Sequence, residues 1–105
     1  MPTKVVPGDV IATTVKLSQD GDIRFRVKRN RIEVLANKPA TFDYTDTHTV
    51  TAGEQTLVYT YAFSFLDADG EYALQQTVNG QAVNGDTRKG SAGHGPFLDF
   101  YVFFQ

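Results

Sequence analysis

Residues 57–66 read LVYTYAFSFL, and the period of that stretch decides the fold. Leu57, Tyr59, Tyr61, Phe63 and Phe65 fall on one side of an extended chain, with Val58, Thr60, Ala62 and Ser64 on the other. Strand side chains alternate in this way, whereas a helix would scatter the same aromatics around its circumference. The segment is a strand with one aromatic face. DADG at 67–70 supplies turn chemistry, and EYALQQTV at 71–78 alternates again. Pairing outward from that turn sets Phe65 beside Tyr72, Phe63 beside Leu74, Tyr61 beside Gln76 and Tyr59 beside Val78. Asn79-Gly80 is a strong tight-turn signal, and 81–84 begins the next strand. The expectation here is a three-stranded meander.

Upstream, 22–36 has the same period. Ile23, Phe25 and Val27 oppose Arg24, Arg26 and Lys28, while Ile32, Val34 and Ala36 form a matching face. A two-residue turn at Arg29-Asn30 pairs Lys28 with Arg31, Val27 with Ile32, Arg26 with Glu33 and Phe25 with Val34. This hairpin holds five of the ten basic residues, Arg24, Arg26, Lys28, Arg29 and Arg31. A hairpin with one wet face must place polar residues there. Like charges facing each other cost stability, however. An anion-contacting tip at Lys28, Arg29 and Arg31 therefore stays open beside the solvated face.

Residues 9–17 are a further strand, and 38–52 is a Thr-rich one suited to a sheet edge. FLDFYVFFQ at 97–105 is apolar on both sides: Leu98, Phe100, Val102 and Phe104 against Phe97, Tyr101 and Phe103. Such a strand is covered twice or meets another chain. The second face, Phe97, Tyr101 and Phe103, is the expected association patch. With no helical period anywhere, the chain is expected to be one all-β domain over 1–105. Its form is an antiparallel sandwich or barrel of about seven to eight strands, immunoglobulin-like or jelly-roll in type. Gly70-Glu71-Tyr72-Ala73-Leu74 is similar to the Gly-x-Tyr-x-(Cys/Leu) signature opening strand F of immunoglobulin-like domains. The likeness covers five residues, the usual Asp before the Tyr is Ala68 here, and no Cys or Trp completes the pattern.

Composition narrows the chemistry. The chain has 105 residues, 41% hydrophobic and 21% charged, an ordinary globular balance. It contains no Cys, which removes disulfides, thiolate nucleophiles and Cys-based zinc sites. The net charge is -2, and outside residues 24–31 twelve acidic residues outweigh five basic ones. Such a body is a poor fit to broad phosphate neutralisation, so nucleic acid is not an expected partner. No apolar run approaches a membrane span. No signal-peptide core follows Lys4, so the cytoplasm is the default expectation.

Specific motifs are few. Asp67, Asp69 and Glu71 lack the further oxygens of a calcium loop, and a turn explains them. Asp46 and His48 project on one strand face, half of a metal or acid–base site. NGDTRKGSAGHGP at 84–96 is the one long irregular segment, with Arg88, Lys89 and His94. It is not a P-loop, because its Lys precedes the Gly. A loop of that length in a small domain is a candidate contact segment. No GxSxG or triad context occurs.

The expected function is therefore a non-catalytic binding module for a protein or carbohydrate partner. Its contacts would come from Lys28, Arg29, Arg31, Arg88, Lys89, His94, Phe97, Tyr101 and Phe103, with no metal or cofactor. The alternatives are a structural protein that homo-oligomerises through the aromatic C-terminal strand, and a small hydrolase or metal-dependent enzyme using Asp46, His48 or His94.

Overall fold

The computed structural model describes residues 2–19, 22–29, 32–39, 42–65, 69–91, 93 and 97–105, and the side chains of these except over 17–43. The strands among them are β1 (Thr3–Lys4), β2 (Val10–Gln19), β3 (Asp22–Arg29), β4 (Ile32–Pro39), β5 (Phe42–Thr49), β6 (Thr56–Phe65), β7 (Gly70–Val78), β8 (Gln81–Gly90) and β9 (Phe97–Phe104). They form two sheets, ordered β1-β9-β6-β3-β4 and β5-β2-β7-β8. Every neighbouring pair is antiparallel except β1 with β9. No described pairing joins one sheet to the other, so this is a β-sandwich and not a closed barrel. β5 lies at a sheet edge with Thr45, Thr47 and Thr49 exposed, as its Thr-rich face predicts.

The core lies between the sheets. β6 contributes Leu57, Tyr59, Tyr61, Phe63 and Phe65, β2 Ile11 and Val15, β7 Tyr72 and Leu74, and β9 Phe103. The expected β6–β7 hairpin does not form. β6 is flanked by β3 and β9, while β7 lies in the other sheet between β2 and β8. The residues expected side by side instead meet face to face. Phe63 stacks on Tyr72 with ring centroids 3.8 Å apart and planes 13° from parallel. Gln76 Nε2 donates to Tyr61 Oη at 3.0 Å. Two adjacent aromatic strands would leave one side of every ring to be covered by something else, whereas the crossing lets each face cover the other. The Gly-x-Tyr segment accordingly opens a strand of the second sheet. The Tyr72 hydroxyl donates to the Asp99 side chain at 2.8 Å rather than to upstream backbone.

Two other expectations shift. β3 and β4 pair Arg29 with Ile32, Lys28 with Glu33 and Val27 with Val34. The offset of two residues from the expected register preserves strand alternation but removes the opposition of Lys28 and Arg31. A strand, not a loop, occupies 84–90, because β8 runs to Gly90. Its glycines disguise it. At Gly90 a Cβ would collide with the rings of Phe65 and Phe97, so only glycine lets β8 pass there. The turn from β7 to β8 is as predicted: Asn79 and Gly80 both have positive φ, 51° and 84°.

Candidate functional site

β9 enters its sheet beside β6 in a register that pairs Leu57 with Phe103, Tyr59 with Tyr101, Tyr61 with Asp99 and Phe63 with Phe97. Residues opposite each other share a face, and this face of β6 is buried. Phe103 is therefore fully buried at 0% exposure, and Phe97 and Tyr101 pack half-buried against the core. The face expected to be the association patch is thus the inward one. Its opposite face is the open one: Leu98 is 56% exposed, Phe100 64% and Phe104 37%. Half-buried Val102 completes the row, beside Val58 and Ala62 of β6. None of these side chains is charged.

Hydropathy could not separate the two faces, since both are aromatic. The single asymmetry, Asp99, misleads by marking its own face as outer. Its carboxylate is buried, accepting from Tyr72 Oη at 2.8 Å and facing an Arg88 guanidinium nitrogen at 3.4 Å. Arg88 also donates through Nε to Asp86 at 2.7 Å. Burial, and then a hydrogen bond with Asp86, pushes the Asp99 carboxyl up to about 6. Asp86 is held below the usual carboxylate range, first by that hydrogen bond and further by Arg88, against its own desolvation. Burial also raises Tyr101, to about 12, with Asp99 adding to the effect. Arg88, held by Asp86 of β8 and facing Asp99, clasps β8 to β9.

The β9 edge is as informative as its face. Val5 N–H donates to the Phe104 carbonyl at 2.8 Å, while Gln105 N–H donates to the carbonyl of Gln55, just before β6. Backbone polar groups of alternate residues point to opposite sides of a strand. The N–H and C=O of Leu98, Phe100 and Val102 therefore point away from β6, as those of Phe104 do. β1 covers this side from Val102 to Phe104, because Thr3 opposite Phe103 sets its N–H on the Val102 carbonyl. The next position belongs to Pro2, which has no N–H to pair. No described strand pairs with β9 over 97–101 on that side.

The remaining candidates are scattered. Arg88 is tied into the Asp86–Asp99 clasp, and Lys89 is exposed on β8. The side chains of Lys28 and Arg29, and all of Arg31 and His94, lie outside the described residues. Backbone register sets Arg24, Arg26 and Lys28 opposite Ser64, Ala62 and Thr60. His48 Nε2 lies 2.9 Å from both Glu54 oxygens, and Glu54 also accepts from Thr51, so His48 closes a loop. Among the described residues no group of His, Cys, Asp and Glu gathers as a metal site. No helix among them is long and apolar enough to cross a membrane. An open trough of about 820 Å³ on the outer side of β2, β7 and β8 has a mixed lining, with Lys16, Gln75, Asn84 and Asp86 beside Ala73 and Ala82. Compared with protein-family models, curated proteins and solved structures, the chain matches none.

Proposed function

We propose that this chain is a non-catalytic protein-binding sandwich that docks its partner along β9. The observation that carries this reading is an edge strand with exposed Leu98 and Phe100 and no charge on its outer face. Natural sheet edges are normally blunted by Lys, Pro, bulges or a covering element. β9 over 97–101 has no covering strand or bulge among the described residues. A protein partner suits it better than a carbohydrate. Sugar recognition needs convergent hydrogen-bonding side chains beside an aromatic platform, and this row offers apolar groups with open backbone.

Site-specific photocrosslinking tests the reading. A benzophenone amino acid at position 100, in the chain expressed in its native source, should yield a discrete protein adduct. The same group at exposed Thr47, on the outer side of β5, should not. Equal yields at both positions, or none at 100, would defeat it.

A further inference from the structure

We infer that the partner docks as an extended segment added antiparallel to β9 at Leu98–Phe100, with a Lys or Arg opposite Asp99 between two apolar residues. This rests on the docking role proposed above and states the chemistry of its occupant. Backbone geometry selects a strand. The N–H and C=O groups of Leu98 and Phe100 point away from β6, and β1 reaches no further along that side than Val102. An antiparallel segment exchanges both N–H···O=C bonds with each of these two residues. Its own residues opposite Leu98 and Phe100 share their outer face, so apolar side chains there extend the exposed row.

The residue between them turns inward, and what it meets there is charged. β9 stands over β7 and β8, since Asp99 accepts from Tyr72 and faces Arg88. β8 is the last strand of its sheet, so a strand beside β9 lies over the rim of β8. Asp86 and Arg88 pair in register with buried Leu74 and Tyr72, and so turn toward that space. At the end that β1 covers, this side of the sandwich is filled, because Val5 is buried in the core. The other end is open, with the Arg88 side chain 43% exposed. There two carboxylates stand against one guanidinium. The neighbouring Tyr61, Tyr72 and Tyr101 bring no positive charge, and Lys89 pairs with exposed Glu71 on the outer face of its sheet. Burial raises the Asp99 carboxyl and Asp86 adds to the shift, as befits a cluster short of positive charge. A cation on the incoming strand makes good that deficit and fixes its register.

Nuclear magnetic resonance titration of the full chain with the end-blocked peptide Thr-Val-Lys-Val-Thr tests this. At pH 7 the amide signals of Leu98 and Phe100 should move and saturate. The same peptide N-methylated at both Val residues lacks the donors of the ladder and should leave those signals in place. Norleucine in place of Lys should bind about 5-fold more weakly, and Glu more weakly still. The preference for Lys over norleucine should shrink as pH falls from 7 to 5, because Asp99, raised to about 6, takes up its proton and the cluster is then balanced. It should shrink likewise at pH 7 in Asp86→Asn, with unchanged circular dichroism.

Equal shifts with the N-methylated peptide would overturn the added strand. Equal affinity for the Lys, norleucine and Glu peptides would overturn the cation opposite Asp99. Signals that stay in place at millimolar peptide overturn the whole inference. If position 100 then still crosslinks to a protein, the docking role survives and only this description of the partner falls; if it crosslinks to nothing, both fall. Movement of the same signals with protein concentration alone would give the edge to a second copy of the chain, and that too overturns the inference.

Discussion

Asp99 shows how one residue can disguise which face of a strand is buried. It interrupts an aromatic strand, yet it is buried and hydrogen-bonded to Tyr72. Its carboxyl is raised to about 6 from an ordinary 3.8, so the folded chain binds the extra proton between those values. The unfolded chain binds fewer protons there, and the Asp99 contribution to stability falls as pH rises from about 4 through 6. In Asp99→Asn that contribution is absent. The stability of the parent relative to Asp99→Asn should therefore decline between pH 4.5 and 7.5 in urea unfolding. A difference that stays level or grows with pH would show Asp99 ionised throughout. No feature of the sequence announced this environment, because it is built from Tyr72 and Arg88 on two other strands.

Among elements, the β7–β8 turn is the clearest case of local chemistry setting structure. Asn79 takes φ 51°, its side chain accepts from Val10 N–H at 2.9 Å, and its Nδ2 donates to Asp9 at 3.0 Å. Asn79→Ala loses both bonds and keeps a conformation that alanine resists, for a loss of about 2 kcal/mol. Asn79→Gly relieves the backbone and should cost about half as much. Denaturant midpoints at constant m-value read the two, and equal losses would mean the backbone contributes nothing. The strands and this turn were legible because alternation and Asn-Gly are written locally. The partner of β6 was not. Face-to-face and side-by-side neighbours of an aromatic strand have the same sequence pattern, and only the occupation of both β6 edges by β3 and β9 separates them. Likewise β8 was concealed by Gly85 and Gly90, the second of which is demanded by rings distant in sequence. β9 was half legible: the strand could be named, its open face could not.

At the scale of the whole molecule, the order in which the two sheets are visited is the deciding feature. After β2 the chain passes from one sheet to the other at five of its connections, and only β3–β4 and β7–β8 are hairpins within a sheet. Its remaining pairings bring together segments far apart in sequence, which places refolding in the millisecond-to-second range of β-sandwiches. Stopped-flow tyrosine fluorescence checks this, and a sub-millisecond major phase would contradict it. The same interleaving has a consequence for the chain as it is made. When β6 leaves the ribosome its aromatic face awaits β7 and one of its edges awaits β9, whose last residue comes some forty positions later. At ~5–20 residues per second, that leaves a sticky strand waiting for ~2–8 s. In that interval a chaperone competes with misassembly for the nascent polypeptide.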